Sequence, residues 1–106
     1  MKTIFRPQFW IDLEEGVTYL AREASPEVAL RWHAEVMATV RKVGELPDLG
    51  RLRRDLKPSN IRSLVLRRYP RYLLFYCWSD DTVEILRIKH GMMDLPQLFS
   101  QSEPNG

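Results

Sequence analysis

The chain carries a single cysteine, Cys77, and only two histidines, His33 and His90. One thiol excludes both a disulfide framework within the chain and a cysteine-built metal site. Two histidines far apart, with no accompanying ligand pattern, argue against a metal centre, and no cofactor is expected. No apolar run approaches the length of a membrane span, and Met1 to Pro7 lacks the charged-then-apolar pattern of a secretory signal. The expectation is a cytoplasmic protein without membrane contact. Internal repeats and low-complexity segments are also missing. With 106 residues, 44% of them hydrophobic, the chain has material for one core and not two. A single domain is therefore expected over 1–99, followed by a disordered polar tail over 100–106 that contains Pro104 and Gly106.

Periodicity divides that domain into one short strand, two helices and three further strands. Thr3-Ile-Phe5 reads as a strand, and Pro7 is suited to open a helix because the first turn has no use for its missing N–H. Phe9, Leu13, Val17 (or Gly16), Leu20 and Ala24 recur at helical spacing, with Asp12, Glu14, Glu15 and Glu23 on the outer face. Gly16 within this pattern costs roughly 1 kcal/mol against alanine, which points to close backbone packing or to a tolerated weakness. Ser25-Pro26-Glu27 is a strong second start, with a serine cap, proline at the first helical position and an acid near the positive end of the dipole. Ala29, Trp32, Val36, Val40 and Val43 form its buried stripe, and the helix runs to about Leu46. His33, beside Trp32, reads as a boundary residue without a functional role. So short a link between the helices predicts an antiparallel hairpin.

Pro47 stops the second helix, and Arg51 to Asn60 reads as a basic loop. Arg62–Arg67, Tyr72–Trp78 and Thr82–Lys89 are β-rich runs joined by Tyr69-Pro70-Arg71 and Ser79-Asp80-Asp81, both tight-turn sequences. Their short connections predict an antiparallel meander. The middle run is apolar at nearly every position, the pattern of a strand covered on both faces. A helical hairpin covers one face only, so the other falls to a fold-back of Leu95, Leu98 and Phe99, to a groove, or to a partner. Cys77, within that run, reads as a core residue that packs as a small hydrophobe.

The formal net charge of +2 conceals an uneven distribution, because residues 51–89 hold ten basic and four acidic side chains. Such a cluster suits an anionic partner, whether an acidic protein surface or a nucleic acid, and equally suits a solvated surface.

Taken in order, several segments resemble a known family. They are Phe9-Trp-Ile-Asp-Leu13, Ser25-Pro26 with Ala29, Leu46-Pro47 with Gly50, Arg62, Tyr72 to Tyr76, and Glu84-Ile-Leu-Arg-Ile-Lys-His-Gly91 with Asp94-Leu95 and Leu98-Phe99. From about Ile4 to Phe99 the chain resembles the ParE branch of the RelE/ParE toxin superfamily of type II toxin–antitoxin modules. The resemblance implies an α+β fold of order β-α-α-β-β-β, with an antiparallel sheet packed on the N-terminal helical hairpin and a short C-terminal helix over 94–99. It also implies a ParD-like antitoxin as partner in a hetero-oligomer, growth arrest and plasmid stabilization, and DNA gyrase as target. Sequence-specific DNA binding would reside in the antitoxin.

The RelE-like alternative is ribosome-dependent cleavage of messenger RNA, which needs proton-transfer groups and cations around a phosphate. Arg62 would fit phosphate binding and His90 proton transfer, but no tyrosine, arginine or lysine follows His90. The constellation is incomplete, so an inhibitor acting through protein contact is favoured over an enzyme; a non-toxic antitoxin-binding relative is the third reading. Arg62, Arg67, Arg87 and Lys89 are the expected contacts to antitoxin or target. Met92 and Met93, standing where ParE-like chains often place an arginine before the aspartate, would add an adaptable apolar contact.

Overall fold

Proline opens both helices. In the computed structural model, which describes residues 1–91 and 99, α1 spans Pro7–Glu23 and α2 spans Pro26–Glu45. Ser25 caps α2 as expected, its Oγ accepting from the Val28 N–H at 3.1 Å, whereas Arg6 precedes α1 without a side-chain cap. The helices follow β1 (Lys2–Phe5) and precede β2 (Arg51–Leu52), β3 (Arg62–Val65), β4 (Tyr72–Ser79) and β5 (Thr82–His90). At the β4–β5 turn Asp80 holds a φ of 53°, a left-handed conformation that aspartate tolerates better than most residues.

These strands form one sheet in the order β1-β5-β4-β3-β2. The meander β3-β4-β5 is antiparallel, as its short turns require. Two details depart from the expectation. First, β1 lies parallel to β5, with Lys2 opposite Thr82 and Phe5 opposite Ile85, so the sheet is mixed. A parallel pair needs a long crossover, which the helical hairpin and the rest of the meander supply. Second, the segment read as a basic loop begins with β2, antiparallel to β3, and then buries Leu56.

The hairpin packs on one face of the sheet. Phe9, Leu13, Trp32, Val36, Val40 and Val43 meet Leu66, Leu74, Tyr76, Val83, Ile85 and Ile88 there. A fully buried side chain of this size contributes about 1.5–3 kcal/mol, so this layer is the main source of stability. The opposite face carries a smaller cluster of Leu56, Ile61, Phe75, Leu86 and Phe99, with Leu73 and Cys77 packed against it. Successive residues of β4 thus alternate between two apolar layers, which explains the continuous apolar run. Phe99 is helical and meets Phe75 edge-on at 5.0 Å. Residues 94–98 of the expected C-terminal helix, and the tail over 100–106, lie outside the described residues.

Candidate functional site

Three structures in the sheet position the candidate residues: a bulge, a short edge strand and a clamped loop. The β4–β5 register slips at Phe75/Tyr76, so that Phe75 faces Arg87 while Tyr76 faces Ile85, leaving Leu86 as the extra residue. Because β1 stops opposite Ile85, the edge of β5 beyond it has no strand partner. Asp12 of α1 occupies that edge. Its Oδ2 accepts the Ile88 N–H at 3.2 Å and the Arg87 Nε–H at 2.7 Å, and its Oδ1 accepts from Arg87 Nη2 at 3.0 Å. Lys89 Nζ lies 3.1 Å from Asp12 and 3.5 Å from Glu15.

This corrects one expectation and bears on a second. Asp12 does not take the outer face of α1 but is buried, because it supplies the acceptor that a longer β1 would have provided. Arg87, expected as a contact to antitoxin or target, is likewise buried, with its guanidinium committed to Asp12. Periodicity contained a signal for this, since Asp12 stands three residues after Phe9 and beside Leu13, on the same stripe.

Arg62 is also held by its own chain. Its Nη1 donates to the Gly50 carbonyl at 2.7 Å and to that of Asp48 at 3.3 Å, and its guanidinium lies 5.5 Å above the Trp78 ring. Beside it the Tyr76 hydroxyl donates to the Pro47 carbonyl at 2.7 Å and accepts the Gly50 N–H at 2.8 Å. A Cβ on Gly50 would come within 2.9 Å of both Tyr76 and the Ser63 carbonyl, so glycine is required here for close approach. Tyr76 and Arg62 together pin the loop that leaves α2. Sequence reasoning missed this role of Tyr76, whose hydroxyl is hidden within an apolar run.

His90 ends β5, packs edge-on against Tyr72 at 5.4 Å and lines a groove with Pro70, Arg71 and Leu73. The structure does not bring His90 and Arg62 together. Tyr72 faces His90 while Tyr76 faces Arg62, which separates them by four residues along β4 and two strand spacings across it, on the order of 16 Å. Arg67 is exposed just beyond β3. Met92 and Met93 lie outside the described residues.

Among the described residues, Phe99, Leu56 and Ile61 fill part of the face of the sheet away from the hairpin. Beside them lies a groove of about 600 Å³ with an apolar floor of Ile61, Leu86 and Cys77 and a rim that includes Arg6, Lys57 and Glu84. The charges around it are largely matched. Arg6 pairs with Glu84, and the Arg53 guanidinium donates to both Asp55 oxygens, at 2.9 and 2.7 Å. These hydrogen bonds from Arg53 hold Asp55 below the usual carboxylate range. With Arg87 and Lys89 already on Asp12, four cations of this face are engaged by carboxylates, which opposes phosphate chemistry there.

Cys77 is half-buried and lines the groove, so it is only partly the core residue expected. Its Sγ lies 3.6 Å from Glu84 Oε1, to which the thiol donates. Burial, reinforced by the Glu84 carboxylate, pushes the thiol up to about 11 from 9.0. The folded form thus keeps a proton that the unfolded chain releases first. The thiol's contribution to stability is complete below about pH 9 and is lost as pH rises through about 11. Burial also raises the Tyr72 and Tyr76 phenols, so the thiol's share is isolated by comparison with Cys77→Ala. We expect the loss of stability between roughly pH 8 and pH 10.5, read from urea midpoints, to be smaller in Cys77→Ala than in the wild type.

Among the described residues no group of three or more histidine, cysteine, aspartate or glutamate side chains could hold a metal ion. No described helix is long and apolar enough to cross a membrane.

A helical hairpin laid on one face of a small mixed sheet defines the class as an α+β domain. A match over residues 3–95 to the family described as "ParE toxin of type II toxin-antitoxin system, parDE" makes the assignment specific: the chain belongs to the ParE toxin family. The fold is similar to a solved structure described as "Chromosomal ParDE TA system from P. aeruginosa", with a TM-score of 0.72 and 20% sequence identity. That alignment covers 85% of this chain and 95% of the other. No curated protein matches the chain.

Proposed function

We propose that this chain is the toxin of a type II toxin–antitoxin module, that a cognate antitoxin neutralises it, and that it inhibits DNA gyrase through a protein contact. Family membership is the observation that carries the reading. The groove that the described residues form on the face away from the hairpin supports it further, because an apolar floor edged by charge suits a helix or strand of another protein. Ribosome-dependent RNA cleavage is disfavoured by the separation of Arg62 from His90 and by the carboxylate partners of Arg53, Arg87 and Lys89. Transition-state stabilisation of a phosphorane-like centre needs cations free to meet it.

The test is a supercoiling and cleavage assay with purified gyrase, relaxed plasmid, ATP and this chain freed from its antitoxin. Inhibited supercoiling with accumulation of linear DNA is expected. Full supercoiling at a large excess of the chain would reject the gyrase target. Undiminished growth on expression without antitoxin would reject toxicity itself.

A further inference from the structure

Most of the exposed basic excess follows one side of the sheet, Lys57 on the rim of the other groove being the exception. Arg51, Arg54, Arg67, Arg68 and Arg71 are all exposed, and they belong to the β2–β3 edge and to the turn that follows β3. A groove of about 370 Å³ lies there between α2 and β3, floored by Leu49, Leu64 and Val65 and edged by Lys42, Arg67 and Arg68. Glu35 also lines it and accepts the Arg68 backbone N–H at 3.3 Å, but its one carboxylate stands against three cations, so the groove keeps a cationic excess. Leu49 and Val65 are 43% and 48% exposed, and Leu46 next to them in sequence is 54% exposed. Sheet pairing also runs out at this point. β2 begins at Arg51, opposite Ser63, while the Leu66 N–H turns inward to the Tyr72 carbonyl, so the outward side of Val65 lies beyond the β2–β3 ladder.

We propose that the α2–β3 groove is a second docking surface, separate from the groove on the face away from the hairpin, for a segment of a partner protein in which carboxylates flank aliphatic side chains. Charge complementarity selects that occupant. Aliphatic side chains fill the apolar floor, and carboxylates answer Lys42, Arg67 and Arg68 at its edges. The unpaired stretch at Val65 can take a backbone hydrogen bond from an extended segment. Single-stranded nucleic acid fits poorly, since the groove is lined by aliphatic residues and has no aromatic side chain on which a base could stack. A second copy docking through the same surface would bring Arg67 and Arg68 against their own counterparts, a like-charge arrangement that opposes symmetric pairing. The inference goes beyond the toxin reading, because it requires neither gyrase nor a particular antitoxin fold.

The test uses the full chain and a fluorescein-labelled heptapeptide alternating glutamate with leucine and valine, beside a twin with lysine in place of glutamate. Anisotropy is expected to report binding of the acidic peptide and none of the basic twin. Arg67→Glu/Arg68→Glu should weaken the acidic peptide about tenfold or more, as expected for reversing charges at a complementary contact. Lys42→Glu, on the helix wall, should weaken it in the same direction. Amide shifts should fall on Thr39, Lys42, Leu64 and Val65, and not on Cys77 or Glu84 of the other groove. No binding, equal binding of the twin, unchanged affinity in both variants, or shifts confined to Cys77 and Glu84 would each overturn the proposal. Concentration-dependent shifts at the groove without peptide, matched by dimer in sedimentation, would overturn it in favour of a second copy. Loss of gyrase inhibition alone would bear only on the toxin reading.

Discussion

Asp12→Ala is expected to cost about 3–5 kcal/mol of folding stability, because it leaves a buried arginine without its counter-charge. Asp12 and Arg87 have side chains only 1% and 8% exposed, and their two hydrogen bonds form a bidentate pair that also satisfies the Ile88 N–H. Removing the carboxylate orphans a guanidinium and a backbone donor together, and moves Lys89 off its nearer partner. The loss should appear as a lower urea midpoint with an unchanged slope. The companion variant Asp12→Leu/Arg87→Met should recover much of it, since replacing both members of a buried pair by apolar groups of similar size is often close to neutral. A cost below about 1 kcal/mol for Asp12→Ala would mean that the pair is solvated in solution.

The second large effect lies at the crossing of the two helices. Trp32 is fully buried and packs edge-on against Tyr72 at 5.2 Å, so Trp32→Ala should cost about 3–5 kcal/mol through lost burial and the cavity left behind. Its indole N–H has no hydrogen-bond partner among the described residues, so the side chain is there for its volume. Gly16 is the surface against which that volume fits. A Cβ at Gly16 would stand no more than 3.0 Å from Cη2, Cζ3 and Cζ2 of Trp32. Gly16→Ala therefore loses about 1–3 kcal/mol to overpacking, although alanine is the better helix former by about 1 kcal/mol. In a Trp32→Ala background the clash is gone, and Gly16→Ala should become neutral or stabilising. A double-mutant cycle by urea denaturation reads this sign change directly. Additive effects would show that the glycine is a tolerated weakness and not a packing requirement.

Much of the fold is legible along the chain because it depends on local rules. Pro7, Ser25-Pro26 and Pro47 mark helix boundaries through missing donors and caps, and short turns dictate the antiparallel meander. What stayed hidden was set by register and long-range pairing. The parallel placement of β1 depends on where the hairpin returns the chain. The burial of Asp12 depends on β1 ending at Phe5, opposite Ile85. No count of charges reveals that Arg87 and Arg62 are already spoken for, since their partners lie far away in sequence, at Asp12 and at the loop over 48–50.

The candidate site divides in the same way. Basic enrichment over 51–89 and the all-apolar β4 are properties of the linear chain, and they pointed correctly to charge and to a strand covered on both faces. Which cations face outward was decided by the bulge at Leu86 and by the strand order. Those features turn Arg87 into a buried ion pair and leave Arg67 and Arg68 on the surface. Sequence alone thus determined the order of the two helices and of the strands other than β2, and the two-sided burial of β4, because these follow from periodicity, caps and turns within a few residues; the family was legible as a resemblance of ordered segments from Ile4 to Phe99. Tertiary structure alone decided which charges are free to meet a partner, because the energy of a charge depends on what lies beside it in space.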